Sequence, residues 1–370
     1  MAGNEIVIGL DAGTTSTKLV ALDRHGDVAV TAESDPIAAS MPVPGASVQR
    51  SADVWTALAT ACRRAMARMP DRTQVVGASL AAQSGSVVPI RRDGGEPEVI
   101  TWMDTRSRPL VEAWPDSTAR SIRARTGWMP MAGLGLSTIS FLTGQSPADT
   151  FGRFASVDDF LVHRLTGEWR TNPSNAAGMQ LMDVETLDWS DELCSIAGID
   201  RSMLSEIAAS GARSGQVTPD AAVATGLPTS TPVHLGGHDQ ACAALGLGVV
   251  SAGDAFLSMG TAWVLTIVVD DPRVEALPAE CNLSPHVEPG RWTISTNLGG
   301  LGAVLGSVLG DGPAPAGDTD PSDSTPPGPD DVHFVPDLHD AARTGWGSFT
   351  DPGADLRDRQ HAVMESCAYE

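Results

Sequence analysis

The chain has 370 residues, 42% of them hydrophobic, with 38 glycines and 26 prolines, and a formal net charge of −22. This describes a soluble α/β protein long enough for two domains, and the charge argues against nucleic acid and anionic membranes as partners. Five scattered cysteines with no C-x-x-C pair, no leader of basic then apolar residues, and no apolar run near ~20 residues predict reduced thiols in a cytoplasmic, membrane-free protein.

The first organising stretch is Ile6 to Asp23. Two apolar runs flank a tip of Gly13, Thr14, Thr15 and Ser16, which predicts a hairpin whose free N–H groups can approach an anion. Asp11 closes the first strand, where a carboxylate can hold hydrated Mg²⁺ through water. Lys18 is the only lysine in a chain whose other cations are arginines. The tip reads as a phosphate grip, although it lacks the spacing of the common nucleotide loops and an ordinary hairpin stays open.

Residues 34–50 predict a loop and Ser51–Met69 a helix, capped by Ser51 or Asp53. A buried strand from Gln74 to Leu80 delivers Gln83, Ser84 and Gly85. A second hairpin turns at Asp93-Gly94-Gly95 and ends at Trp102-Met103-Asp104-Thr105-Arg106. Helical patterns follow at Pro109–Thr126 and Ser156–Leu165, the latter stopped at Gly167. Thr231–Leu235 predicts a strand opening onto Gly236-Gly237-His238-Asp239-Gln240, then a helix over Ala241–Leu247. From Gly248 a strand–turn–strand pattern recurs around Gly260-Thr261, so a second domain is predicted there. The expected division is 1–247 and 248–370, with a disordered insertion at 311–331.

Taken in order, Asp11–Lys18, Trp102–Arg106, Asp158–Trp189, Gly236–Gly246 and Met259–Thr261 resemble the FGGY carbohydrate kinases. The resemblance implies an α/β, two-domain actin/hexokinase-like (ribonuclease H-like) fold with an interdomain cleft. It implies transfer of the γ-phosphate of ATP, with Mg²⁺, to a hydroxyl of a small sugar, ketose or polyol. Asp239 matches the family's catalytic base, and Asp11 its metal-proximal aspartate, so Asp11 and Asp239 form the metal pair. Thr14, Thr15, Ser16, Lys18, Gly260, Thr261 and Gly300 match ATP-binding positions. Gln83, Ser84, Trp102, Asp104, Arg106 and Gln240 match the substrate side. From the residues alone, Asp239 also reads as a helix cap, Trp102 as core packing, and Asp104 with Arg106 as a surface ion pair.

Three departures from the family pattern stand out. Thr138 and Phe141 occupy the places of a usual Lys and Trp in the first signature, over Gly127–Leu142. The second signature is eroded after Phe334–Leu338. The chain also stops at Glu370, before the loop that holds adenine and ribose in the family, so the second domain is expected to be incomplete. The leading expectation is a sugar kinase. The alternatives are a truncated or pseudo-kinase that binds sugar without transferring phosphate, and another member of the same fold. A homodimer stays open, and the sequence does not choose the sugar.

Overall fold

The computed structural model describes residues 5–70, 73–147, 149–259, 263–298, 334–336, 347–351 and 362. It divides into two compact units, Met1–Asp254 with Val268–Ile294, and Ala255–Ile267 with Ser295–Glu370.

The first unit opens with an antiparallel meander of β1 (Glu5–Ala12), β2 (Thr17–Asp23) and β3 (Val28–Glu33). Alternation along β1 puts Ile6, Ile8, Leu10 and Ala12 into the core. A short β4 (Val48–Arg50) runs straight into α1 (Ser51–Met66). Neither Ser51 nor Asp53 caps this helix. Arg50 holds the N-cap position without a side-chain cap, Ser51 already lies inside the helix, and the helix ends three residues before Met69. Val54, Leu58, Ala61, Cys62 and Ala65 form its buried stripe.

β5 (Gln74–Ala82) then lies parallel to β1. β6 (Val87–Arg91) and β7 (Glu98–Ile100) flank the Gly94 turn. The helix expected over Pro109–Thr126 is instead two, α2 (Arg108–Ala113) and α3 (Asp116–Thr126). Pro115 forces the break, because it pushes Trp114 out to an extended ψ of 136°. α4 (Gly135–Gln145) leads to β8 (Phe151–Ser156), and α5 (Val157–Thr166) follows at once. Ser156 and Asp159 form a capping box on α5. β4, β7, β6 and β8 make a second sheet in that order.

The next segment holds β9 (Arg170–Thr171), α6 (Pro173–Gly178), β10 (Met182–Asp183), β11 (Asp188–Trp189), α7 (Asp191–Ala197), β12 (Glu206–Ile207), β13 (Arg213–Gln216) and α8 (Pro219–Thr225). β14 (Pro232–His238) and α9 (Asp239–Gly246) close the run. The main sheet has the order β13-β14-β5-β1-β2-β3, with β14, β5 and β1 parallel. Its main core packs α1, α5 and α8 residues against the sheet. A second core gathers Ile122, Leu136, Ile139, Phe154, Leu181 and Leu193.

β15 (Ala255–Met259) and β16 (Trp263–Val269) pair antiparallel, as the repeated strand–turn–strand pattern predicts. β17 (Cys281–Pro285) and β18 (Trp292–Asn297) follow, and β19 (Phe334–Pro336) pairs with β20 (Gly347–Phe349). The insertion expected at 311–331 and most of the second signature lie outside the described residues.

Candidate functional site

Three parallel neighbours, β1, β5 and β14, end side by side, and their carboxyl ends carry the polar residues of interest. In open α/β sheets ligands bind at this edge. Asp11 sits beside Ala81 of β5, and His238 sits beside Ala82 on the other flank. Gln83 follows β5 and donates its N–H to the carbonyl of Ala12. The register thus assembles Asp11, Gln83 and Asp239 at one edge.

The Gly236-Gly237 pair makes this placement possible. β14 bulges between Leu235 and Gly237, and a bulge re-aims the chain that follows. A Cβ on Gly236 would lie 2.1 Å from the Leu80 carbonyl oxygen, and one on Gly237 would lie 2.7 Å from Ser174 Oγ. Ser174 Oγ needs that space because it accepts the N–H of His238 at 2.9 Å. Ser174 in turn donates to Asn172 Oδ1 at 2.8 Å, and Asn172 Nδ2 donates to Asp158 Oδ2 at 3.1 Å. A buried polar chain therefore fixes the residue before Asp239 to α5.

Asp239 is the first residue of α9, not its cap; His238 holds the cap position. His238 Nε2 lies 2.9 Å from Asp239 Oδ1, and the Gln240 N–H donates to the same oxygen at 2.7 Å. Burial pushes the Asp239 carboxyl up, but the charge and hydrogen bond of His238 and the Gln240 N–H outweigh it, so the group sits below its usual range. Asp11 shows the opposite balance. Burial and the charge of Asp239 raise it against the pull of Lys18, and its Oδ1 is buried with no partner among the described residues. Asp158, fully buried, is also pushed well up by burial and by Asp159. Burial, with Asp158, Asp239 and Asp11, raises the Cys242 thiol to about 12.

Asp11, Lys18, Glu33, Arg68 and Cys242 share a groove of about 750 Å³. Lys18 is exposed at its rim, opposite Asp11 in the β1–β2 register. At the hairpin tip, the N–H groups of Thr14, Thr15 and Ser16 have no partner among the described residues, while Gly13 bonds back to Ser16 O at 3.1 Å. Ser16 Oγ is turned to Glu33 at 2.7 Å. What the tip offers an anion is therefore backbone, with Lys18 behind it.

Thr14 joins this tip to the substrate-side residues. Its hydroxyl donates to Gln83 Oε1 at 2.9 Å and accepts from Trp102 Nε1 at 3.2 Å. Ser86 Oγ also donates to Gln83 Oε1, at 3.0 Å, so the buried Gln83 Nε2 is the amide atom without a partner among the described residues. Trp102 is exposed rather than core-packed. Ser84 Oγ lies 3.5 Å from the Asn175 carbonyl, and the Gln240 Oε1 is buried without a partner among the described residues.

Asp104 is buried and spends its oxygens internally. It accepts from the Ser47 N–H at 2.9 Å and pairs with Arg106 at 2.8 Å. Arg106 also lies over the Phe141 ring, 5.6 Å from its centroid, which gives the unusual Phe141 a role. Asp104 thus orients Arg106 rather than standing free. Gly260, Thr261 and Gly300 lie outside the described residues.

Sequence reasoning missed Gln49, whose Nε2 holds the Thr14 carbonyl at 2.8 Å, and the Asn172–Ser174 link. An Asn followed by Pro is a readable helix start, and Asn172 does cap α6. Nothing local signals Gln49. Among the described residues no group of three or more His, Cys, Asp or Glu side chains gathers as a metal site. The Asp11–Asp239 oxygen pair still fits a hard cation that keeps waters and phosphate oxygens as its other ligands, and the orphaned Asp11 Oδ1 is the atom such a cation would satisfy.

Residues 6–246 match the profile of the FGGY family of carbohydrate kinases, N-terminal domain. The xylulose kinase of Lactococcus lactis is 29% identical over 290 residues, covering 77% of this chain and 57% of that protein. The autoinducer-2 kinase of Photorhabdus laumondii is 29% identical over 293 residues, covering 77% of this chain and 55% of that protein. The chain thus spans little more than half the length of these curated relatives. In fold, the crystal structure of xylulose kinase from Rhodospirillum rubrum superposes with a TM-score of 0.83 at 22% identity, over 98% of this chain and 76% of that one.

Proposed function

Because the chain belongs to the FGGY family of carbohydrate kinases and shares its actin/hexokinase-like fold, we propose that it phosphorylates a hydroxyl of a small sugar, ketose or polyol with ATP. The observation that carries this reading is the pair of carboxylates at the ends of parallel strands. Asp239 is held ionised by His238 and the Gln240 N–H, and Asp11 beside it has an unsatisfied buried oxygen. An ionised, positioned carboxylate is what a poorly nucleophilic hydroxyl needs, and such a base contributes ~10²–10⁴-fold.

In this reading the acceptor oxygen forms a bond to the γ-phosphorus as the bond from that phosphorus to the bridging oxygen of ADP breaks. The hydroxyl proton passes to Asp239. Asp11 and Asp239 would hold Mg²⁺, which when bound neutralises charge on the phosphate oxygens. The free N–H groups of Thr14, Thr15 and Ser16, with Lys18, supply the fixed positive ends toward the phosphates. Gln83 Nε2 and the Trp102 ring face the acceptor, with Ser84, Arg106 and Gln240 as neighbouring readers of its hydroxyls. Asp104 acts through Arg106. We assign Gly260, Thr261 and Gly300, and the region from residue 248 on, to the nucleotide. Those assignments follow the family pattern alone.

The names of the xylulose kinase relatives put ketoses among the acceptors to test. Isothermal calorimetry of Mg-ATP, alone and with a panel of pentuloses, gluconate and polyols, is the direct experiment, run beside Asp239→Ala. Turnover heat with one acceptor, abolished by the substitution, is the expected result. Acceptor binding without turnover would replace this reading by a sugar-binding, non-transferring protein, and no binding of any acceptor would end it.

A further inference from the structure

Four large apolar side chains stand exposed on two loops beside the acceptor residues: Trp102 at 47%, Met103 at 44%, Met129 at 41% and Met131 at 45% of full exposure. The two loops are joined by contact. Gly133 lies with φ +87° against the carbonyls of Trp102 and Asp104, where a Cβ would come within 2.1 and 2.8 Å of their oxygens.

The backbone under this rim is held from below. Gln180, fully buried, donates its Nε2 to the Met129 carbonyl at 2.8 Å and accepts the Met131 N–H at 3.4 Å. Ser137 Oγ donates to the Met131 carbonyl at 2.6 Å. Trp102 has its own polar needs met, through Ser86 Oγ and Thr14 Oγ1. The rim therefore presents carbon and sulfur outward on a fixed base. A hydroxyl-bearing terminal carbon gains less from such a surface than an alkyl group does, because thioethers and an indole face offer contact but no hydrogen-bond partner.

Resting on the acceptor site proposed above, we infer that Met103, Met129 and Met131, with Trp102, select an acceptor that carries an apolar arm. The arm is a deoxygenated or alkyl-bearing terminal carbon on an otherwise hydroxylated small molecule. The polar floor around Gln83 takes the hydroxyls and the rim covers the arm. The rim is continuous with the acceptor residues through Trp102, which argues for a small-molecule occupant over a second copy or another protein.

The test compares matched acceptors, D-xylulose and 1-deoxy-D-xylulose, by calorimetry on the full chain without nucleotide and by kcat/KM with Mg-ATP. The deoxy member is expected to bind several-fold more tightly, since covering one CH₂ equivalent corresponds to about a fourfold change. In Met129→Gln/Met131→Gln the ratio is expected to collapse to about one, while Val223→Gln, 86% exposed on α8, keeps it. Binding of both sugars with no deoxy preference, or a preference that survives the double substitution, overturns the inference and leaves the kinase reading standing. Failure of either sugar to bind, with other acceptors silent as well, removes the acceptor site itself. A dimer in sedimentation that the double substitution dissociates assigns the rim to a second copy, and the inference falls.

Discussion

Gly133→Ala tests whether the acceptor residues are positioned by contact between two loops. The residue has φ +87°, and a Cβ there would meet two backbone oxygens, at 2.1 and 2.8 Å, neither on a side chain that can swing away. The left-handed backbone costs an alanine about 1–2 kcal/mol, and forcing the loops apart adds about 1–3 kcal/mol. The stiffer unfolded chain returns about 0.4–1 kcal/mol. The expected net loss is about 1–5 kcal/mol, centred near 3. Gly94→Ala is the matched control, because Gly94 has φ +74° with nothing within 4 Å of the added carbon; its loss should stay near 1 kcal/mol. Equilibrium urea unfolding measures both, and calorimetry with the preferred acceptor should show at least tenfold weaker binding for Gly133→Ala alone. Equal stability losses at the two sites, with acceptor affinity retained, would refute the claim that this contact sets the pocket.

His238→Gln removes the charge that, against burial, holds the Asp239 carboxyl down, so the acid limb of the kcat/KM profile should move to higher pH. An unmoved limb would mean that His238 does not tune the base. Asp158 is raised in the fold by burial first and by Asp159 second. A carboxyl whose folded value exceeds its unfolded one is destabilising once ionised, so stability falls as pH rises from about 4, the unfolded value, to the folded value. Asp158→Asn should therefore gain stability at pH 8 relative to pH 5, read from the unfolding midpoints; a pH slope identical to that of the natural chain would contradict this.

The parts of the molecule legible in the sequence are those set by near neighbours in the chain. Alternation along Ile6–Ala12 and the helical stripe from Val54 to Ala65 describe β1 and α1. The helix break at Pro115 is equally local, since a proline drives the residue before it, Trp114, to extended backbone. The site was legible only as residue types in order. Trp102 could be core or surface, and only the packing of Gly133 against its carbonyl, with the indole N–H on Thr14, decides that its ring faces out. Asp104 with Arg106 could be a surface pair, yet the Ser47 N–H and the ring of Phe141 draw it inward. Gln49, Ser174 and Gln180 act across 35, 64 and 51 residues of chain, and no spacing rule reaches that far.

Thr14 links two halves of the proposed reaction that could have been separate. Its N–H belongs to the anion-facing tip, while its hydroxyl is shared between Gln83 and Trp102, and Gln49 holds its carbonyl. A phosphate drawn to the tip must therefore be felt at the acceptor wall, and an acceptor stacked on Trp102 must be felt at the tip. Such coupling is reciprocal, and a factor of about 5–150 is typical where two sites share an element. Thr14→Val keeps the shape of the side chain and deletes the shared oxygen. In the natural chain acceptor affinity should rise when Mg-ATP is present, and in Thr14→Val calorimetry should find it independent of Mg-ATP, with the N–H groups of the tip still in place. If the valine variant shows the same dependence on nucleotide as the natural chain, the hydroxyl carries no coupling, and the two sites communicate by some other route or not at all.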